Sequence, residues 1–156
     1  MAHPVPDRTR RYTIADLYAF PPDGHRYELV RGRLLVTPPP RTSHDRAVTA
    51  LVYDVVQPCH RVGLYVAMRS ATGEYSADTW LEPDLAVFDR DFATRGDDWL
   101  AGPPPLLAIE VLSRGSRAHD RGIKRATYLA LGVREYWVVD PFRRVIERWR
   151  GRDDGG

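Results

Sequence analysis

Two carboxylates and one amine are the residues of this sequence whose types and positions could do chemistry. Glu110 lies inside the apolar run Leu106–Leu112, where an unpaired negative charge would be expensive to bury. Asp84 follows Pro83 at the start of a second apolar run, Leu85–Phe88. Mg²⁺ usually takes one or two carboxylates from a protein, with waters and substrate phosphates in its remaining positions. Two such carboxylates on neighbouring strands therefore predict a divalent-metal site.

Lys124 is the only lysine among the 23 basic residues of the chain. Lysine is a compact point charge whose pKa moves on burial, unlike arginine, so an amine kept in an Arg-rich chain is a candidate for chemistry.

Structural roles without chemistry stay open for each of these residues. The lysine could be a compositional accident or an i,i+4 partner of Asp120. Asp84 could cap a turn, Glu110 could be the structural partner of an arginine, and Tyr128 is expected to pack rather than to catalyse.

The elements that must position these residues are short strands and two substantial helices. An apolar stripe at helical period predicts the first long helix, which Ser43 should cap and Pro58 should end. In chain order the predicted elements are a helix from Thr13 to about Phe20, strands at Arg26–Val30 and Arg33–Val36, the helix from Ser43 to Pro58, strands at Leu64–Met68, Leu85–Phe88 and Leu106–Leu112, a helix from about Ala118 to Leu131 with Gly132 as its C-cap, and strands at Arg134–Val139 and Arg144–Trp149. The polar stretch around Gly73 has no predicted element, and residues 89–105 are predicted to be an irregular loop. This order predicts an α/β protein (α+β in its mixed sheet) with a central mixed β-sheet flanked by helices.

Length and composition indicate one globular domain. The chain has 156 residues, of which 43% are hydrophobic and 28% are charged, as is ordinary for a single domain with its own core. We expect a flexible arm at 1–12, the domain at 13–150 and a disordered tail at 151–156. The single Cys59 excludes an internal disulfide framework, and no apolar run approaches the ~20 residues of a membrane span. We therefore expect a cytoplasmic location.

Positive charge is concentrated between Arg114 and Arg125, although the net charge of the whole chain is only +2. That overall balance does not mark a strong non-specific nucleic-acid binder. The local run could be a solvated helix face, or it could contact phosphates and give salt-dependent affinity with little sequence preference. The candidates for nucleic-acid contact are Arg114, Arg117, Arg121 and Arg125.

Other residues give weaker signals for chemistry. His44 lies near the start of the first long helix and is expected to cap or pack, and the remaining histidines have no zinc spacing. Cys59 has no visible activating partner, and the sequence contains no Gly-rich phosphate loop. The four Trp are expected in the core or at a dimer surface rather than as platforms for stacking bases.

Several motifs together resemble the Uma-two group, bacterial proteins described as endonucleases within the PD-(D/E)XK restriction-endonuclease-like superfamily. The resembling segments are Arg26–Leu34, Glu82–Val87, Ile109–Ser113, Asp120–Lys124 and Gly132–Pro141. The likeness extends over residues 12–150. It implies a restriction-endonuclease-like core with an added N-terminal helix and β-hairpin.

The resemblance also implies roles for the matching residues. Asp84 and Glu110 would hold Mg²⁺ or Mn²⁺, with the backbone carbonyl of Val111 as a further ligand. Lys124 would orient or activate the attacking water and offset charge on the phosphate, and Glu28 would be an auxiliary acidic residue. The reaction would be hydrolysis of a phosphodiester in DNA, with the metal acting as a Lewis acid and lowering the pKa of bound water.

Two departures from that group's pattern leave alternatives open. The superfamily's third residue falls two positions after the glutamate, which here is Leu112, so the lysine must be carried over to the helix, at Lys124. The chain also ends soon after its last predicted strand, where relatives continue with another apolar segment, and an open sheet edge would favour a homodimer or a degenerate copy. The alternatives are a catalytically inactive nucleic-acid-binding or regulatory module on the same fold, and a structural homodimer whose acidic pair serves stability.

Overall fold

The computed structural model describes residues 7, 9–68, 73–95 and 103–151. The expected arm at 1–12 and the expected tail at 151–156 lie largely outside these ranges, as does part of the expected loop at 89–105. None of the helices in these ranges is both long enough and apolar enough to cross a bilayer.

The described residues form nine strands in two sheets. The strands are β1 Arg26–Val30, β2 Arg33–Thr37, β3 Tyr65–Met68, β4 Gly73–Ser76, β5 Thr79–Leu81, β6 Leu85–Phe88, β7 Leu107–Val111, β8 Glu135–Asp140 and β9 Val145–Arg150. The larger sheet has the order β3-β6-β7-β8-β9, in which β7 and β8 are parallel and the other neighbours antiparallel. The smaller sheet, in the order β2-β1-β5-β4, is antiparallel throughout. The predicted mixed central sheet and the added hairpin are confirmed.

Two long helices flank the larger sheet, and each contains a π-helical turn. The helical segments are α1 Ile14–Leu17, α2 Thr42–Leu51, α3 Gln57–Arg61, α4 Arg117–His119 and α5 Arg125–Ala130. The π-helical turns are Val52–Val56, which joins α2 to α3, and Asp120–Lys124, which joins α4 to α5. A 3₁₀ segment, Arg90–Arg95, occupies part of the stretch that was expected to be irregular.

Several predicted helix boundaries are wrong. The first long helix continues past Pro58 to Arg61, because the wider π-helical turn before the proline accommodates its ring and its missing N–H. That helix begins at Thr42 rather than after Ser43, and no side chain caps it. Thr13 does cap α1, but α1 ends at Leu17 rather than near Phe20, since Pro21 and Pro22 leave no room for another turn.

The stretch around Gly73 forms a hairpin that the sequence did not predict. β4 and β5 pair with each other, and β5 then joins the edge of the β1–β2 hairpin through Leu29 opposite Trp80. The strands contain four and three residues, which is too short for an alternating pattern to be recognised. This hairpin completes the smaller sheet.

The two faces of β7 are buried against different partners. Ile109 and Val111 pack under Leu51 and Val55 of the first long helix. The alternate positions face the other side, where the apolar partners are Tyr128 of α5 and residues of the β1–β2 hairpin. Because side chains alternate along a strand, Glu110 must point to this second side. The smaller sheet and α5 therefore enclose it.

Candidate active site

The register of β6 and β7 brings the two predicted carboxylates together. Leu85 lies opposite Ile109 in this antiparallel pair. Asp84 immediately precedes Leu85 and Glu110 immediately follows Ile109, so both carboxylates lie at the same end of the pair, where the Arg26 guanidinium contacts both of them. Both side chains are fully buried, at 0% exposure. Two neighbouring strands thus present two carboxylates at one point of the larger sheet.

Lys124 reaches the same point from the π-helical turn before α5. Its side chain is 1% exposed, and its Nζ lies 2.9 Å from Glu28 Oε1 and 3.6 Å from Asp120 Oδ1. The same ammonium group contacts Glu110 Oε1. Tyr128, one turn later, donates a 3.3 Å hydrogen bond to Glu110 Oε1 while packing in the core. One amine is therefore shared by three buried carboxylates, so the i,i+4 contact with Asp120 is only part of its environment.

The helix that carries Lys124 does not have regular α-helical spacing. At regular spacing, Arg117 and Arg121 would share a row with Lys124 and Tyr128. Instead, Asp120 is buried beside Lys124, and Arg121 pairs with Asp140 of β8. The π-helical turn at Asp120–Lys124 changes the angular phase of the helix, so a period of 3.6 does not apply across it.

Arg26 is a member of the site that the sequence interpretation missed. Its guanidinium lies 3.2 Å from Asp84 Oδ1 and 3.9 Å from Glu110 Oε2, and its Nε lies 3.7 Å from Glu28 Oε2. It also donates a 2.9 Å hydrogen bond to the carbonyl of Glu82. Arg26 precedes Glu28 by two residues on β1, and that spacing places both on one face of the strand. This was a signal that could have identified it.

His44 is the second missed residue. Expected to cap or pack, it is 3% exposed, and its Nε2 forms a 3.1 Å hydrogen bond with Asp84 Oδ2. The backbone N–H of Val111 donates to the same oxygen at 2.8 Å. Burial alone would raise the pKa of Asp84, but the His44 hydrogen bond and the charge of Arg26 bring it down to about 2. Asp84 is therefore held as an oriented carboxylate.

The buried cluster contains more negative than positive charge. Its members are Glu28, Asp84, Glu110, Asp120, Lys124 and Arg26. Arg26 is partly exposed, and the side chains of the other five are at most 1% exposed. Four carboxylates thus face two permanent cations, and full ionisation leaves two negative charges uncompensated. A divalent cation would neutralise this excess.

Two members of the cluster show this imbalance in their pKa values. Burial raises the pKa of Glu110 well above its ordinary value, and the charges of Asp120 and Glu28 add to the effect. Burial alone would lower the pKa of Lys124, but Glu110 and Glu28 raise it above its ordinary value. Lys124 is therefore an ammonium group at any physiological pH, whereas Glu110 resists ionisation.

The donor atoms fit a divalent cation in charge and type. Glu110 Oε2 is buried without a hydrogen-bond partner among the described residues, and its nearby cation is Arg26. Asp84 Oδ1 faces the same guanidinium. Within the described ranges, no three His, Cys, Asp or Glu side chains are grouped to hold a metal. Two carboxylates and a backbone carbonyl would suit Mg²⁺, which usually keeps several waters.

A cavity of about 240 Å³ lies next to this cluster, on the other side of Arg26 and His44. Arg26, His44, Glu82 and Ser113 line it together with residues of the turn before Arg26 and of the Pro-rich stretch after β2. Arg114 follows Ser113 in the chain and is exposed. The cluster is thus buried but lies directly behind an open cavity.

The predicted nucleic-acid arginines differ in their surroundings. Arg114 and Arg117 are exposed, and the guanidinium of Arg117 lies 4.9 Å from the ring centroid of Phe142. Arg125 lies 5.0 Å from the ring centroid of Trp149. Arg121 is held by 2.9 Å hydrogen bonds from its Nε to Glu147 and from its guanidinium to Asp140. Arg121 is therefore already neutralised within the protein.

The larger sheet thus carries a buried acidic cluster at the point where β6 begins and β7 ends. A solved structure with this fold is a "putative nuclease belonging to DUF820" from Anabaena variabilis ATCC 29413. The TM-score is 0.71 at 18% sequence identity, covering 90% of this chain and 80% of the other. A family model described as "Uma2: Putative restriction endonuclease" matches residues 14–156. The chain belongs to the Uma2 family, the group that its motifs resemble. No curated protein matches it.

Proposed function

We propose that this protein is a divalent-metal-dependent endonuclease that hydrolyses phosphodiester bonds in DNA. The observation that supports this most strongly is the pair formed by Asp84 Oδ1 and Glu110 Oε2. Both oxygens face one guanidinium inside a cluster with excess negative charge, directly behind an open cavity. Membership of the Uma2 family is consistent with this chemistry.

Asp84, Glu110 and the backbone carbonyl of Val111 would hold Mg²⁺ or Mn²⁺. When bound, the ion would polarise the phosphate as a Lewis acid and lower the pKa of a bound water. These donors are all oxygens, which are the ligands that both ions accept. His44 and the Val111 N–H keep Asp84 oriented for this task.

Lys124 and Glu28 would serve the reaction as a fixed pair. Because its pKa is raised, Lys124 remains an ammonium group, so it would donate hydrogen bonds and offset negative charge rather than remove a proton. Glu28 accepts hydrogen bonds from Lys124 and from the Glu82 N–H at 2.8 Å, which fixes the position of the amine. Arg26 lines the cavity, and its planar fork suits a phosphate group.

Arg114, Arg117 and Arg125 would contact the DNA backbone. Their contacts would give affinity that falls as salt concentration rises, with little sequence preference. Arg121 would instead keep its ion pairs with Asp140 and Glu147 and hold the helix on β8 and β9. We also propose a cytoplasmic location, since the single cysteine of the sequence fits a reducing compartment.

A second copy of the chain is the partner that we propose for β9. This strand is at the edge of the larger sheet, and Val145 and Ile146 on it are 42% and 49% exposed. The unpaired backbone N–H and C=O groups of an edge strand are a template for pairing with another chain. Sedimentation velocity should therefore find a dimer that Ile146→Lys dissociates, and a monomer at every concentration would exclude this assembly.

The alternative function is a catalytically inactive nucleic-acid-binding or regulatory homodimer. The contacts of Arg26 favour it, because a guanidinium that already bridges Asp84 and Glu110 could serve as a permanent structural substitute for a metal. In that case the acidic pair contributes only to stability.

Nicking of supercoiled plasmid DNA distinguishes the two functions. The wild-type protein should nick with Mg²⁺ or Mn²⁺ and stop with EDTA. Asp84→Asn and Glu110→Gln, which keep side-chain shape, should each lower the rate at least ~100-fold, because Lewis-acid stabilisation contributes several kcal/mol. Asp54→Asn, an exposed carboxylate on the first long helix, is the matched control and should change nothing. Activity that survives in the Asp84→Asn and Glu110→Gln double variant would come from a contaminant or a different site.

A further inference from the structure

An aromatic cleft of about 280 Å³ lies beside the 240 Å³ cavity that Arg26 and His44 line. Its volume is near the lower end of small-molecule sites, which measure roughly 300–1,000 Å³. The rings of Tyr18, Tyr27 and Trp80 line it, with apolar support from Ile14 and Leu17 of α1. None of these residues has a part in the hydrolysis proposed above.

The cleft and the cavity share a wall. Arg26, Glu82 and His25 line both of them. Arg26 is thus a cation that a phosphate in the cavity could reach, and the aromatic rings begin on its other side. A ligand bound across this wall would need an anionic group on one side and a flat apolar group on the other, which is the chemistry of a nucleotide.

The rings are held in place for such a ligand. Trp80 donates a 3.0 Å hydrogen bond from its indole Nε1 to Glu82, which fixes the plane of the ring. Tyr18 meets Trp80 edge to face, with ring centroids 6.3 Å apart and an interplanar angle of 73°. Tyr27 stacks on Phe20, with ring centroids 4.6 Å apart, and its hydroxyl donates a 2.8 Å hydrogen bond to Asp23.

Tyr18 is the most exposed of the three rings. It is 74% exposed although it lies against an apolar cleft. Bases of single-stranded nucleic acids stack on exposed aromatic side chains of this kind, and the wall residue Glu82 could accept a hydrogen bond from an exocyclic amine of the base. A base inside a duplex is stacked and paired, so it could enter the cleft only after leaving the helix.

We propose that the cleft formed by Tyr18, Tyr27 and Trp80 binds an unstacked nucleobase next to the phosphate at Arg26, so that the preferred substrate is single-stranded or locally unpaired DNA. This inference deepens the proposed function and rests on it for the identity of the ligand. It also gives Trp80 the stacking role that the sequence interpretation did not expect.

Binding of a fluorescent single-stranded oligonucleotide, followed by anisotropy in EDTA and again in Ca²⁺, tests the cleft without requiring cleavage. The wild-type protein should bind the single strand more tightly than the same sequence in a blunt duplex. Tyr18→Ala should weaken single-strand binding roughly 5- to 150-fold, the equivalent of the ~1–3 kcal/mol that one base–aromatic stack contributes. Tyr18→Phe keeps the ring and should bind like the wild type. Tyr53→Ala removes a tyrosine that is 63% exposed on the first long helix, and it should also have no effect.

The outcomes separate this inference from the proposed function. Equal affinity for both DNA forms, no binding of either form, or full affinity in Tyr18→Ala would overturn the aromatic-cleft proposal, whether or not the protein nicks plasmid DNA. Single-strand binding that depends on Tyr18 in a protein without metal-dependent cleavage would support the cleft and refute the nuclease. Because Tyr18 is exposed and follows α1, unchanged thermal unfolding of Tyr18→Ala would confirm that a binding loss is not a folding defect.

Discussion

Replacing Lys124 with methionine should be one of the most destabilising single substitutions in this protein. The Lys124 side chain is 1% exposed and contacts Glu28, Glu110 and Asp120. Its removal leaves three buried carboxylates with Arg26 as the remaining cation of the cluster. Removing one partner of a buried ion pair costs about 3–5 kcal/mol, and each kcal/mol lowers Tm by roughly 2–4 °C at this chain length. We therefore expect a loss of roughly 6–20 °C near neutral pH.

The loss should grow as pH rises. In the wild-type protein Lys124 holds the pKa of Glu28 below its ordinary value of 4.5, against the effect of burial. Without Lys124, burial would raise the pKa of Glu28, and the pKa of Glu110 would rise further. A folded state with raised carboxyl pKa values binds more protons than the unfolded chain, so it loses stability as pH rises above about 4.5. In the wild type the contribution of Glu28 has the opposite sign: its pKa is lowered, so its stabilisation is fully present above that pH and is lost as pH falls further.

Urea unfolding at about pH 4.5 and about pH 8 measures this difference. Lys124→Arg is the matched control: it keeps the positive charge, and its bulk should cost ~1–3 kcal/mol with little dependence on pH. A cost below ~1 kcal/mol for Lys124→Met near pH 8, or the same cost at both pH values, would refute the electrostatic reasoning.

Three further results are expected. Glu110→Gln should equal or exceed the wild type in thermal stability in EDTA, because it removes a buried carboxyl whose pKa is raised, and it should abolish stabilisation by Mn²⁺; retained stabilisation by Mn²⁺ would contradict the metal assignment. His44→Ala should raise the pKa of Asp84 and weaken Mn²⁺ binding ~10–100-fold in calorimetry, and unchanged affinity would show that His44 only packs. Arg114→Ala should lower the slope of log K for DNA binding against log salt by about one at unchanged Tm, whereas Arg121→Ala should lower Tm and leave the slope unchanged; the reverse pattern would assign the phosphate contact to Arg121.

The central sheet could be predicted because its strands have strong local signals. β6 is a continuous apolar run, and β7 is an apolar run interrupted only by Glu110. The β1–β2 hairpin turns at Arg31 and Gly32, whose φ values of 50° and 75° match the type I′ geometry that Gly favours. The smaller sheet could not be predicted in full, because β4 and β5 are too short to show a period. The continuation of the first long helix past Pro58 was also not predicted. A proline normally ends a helix, and no residue type in the sequence indicates the π-helical turn that allows this helix to continue.

The site was only partly predictable from the sequence. Glu110 is conspicuous because a carboxylate interrupts an apolar strand, and Lys124 because it is the only lysine. Arg26 could have been found, since it shares a strand face with Glu28. His44 could not, because its bond to Asp84 joins residues 40 positions apart on two separate elements, and no local pattern encodes that contact.

Binding of a divalent cation by Asp84 and Glu110 is the property on which the proposed reaction depends most. Anomalous diffraction from crystals grown with Mn²⁺ tests this directly. We predict one strong anomalous peak for a Mn²⁺ ion that Asp84 and Glu110 coordinate. The Arg26 guanidinium should then have moved out from between the two carboxylates. A map without a peak at these residues, with Arg26 still bridging Asp84 and Glu110, would contradict this binding.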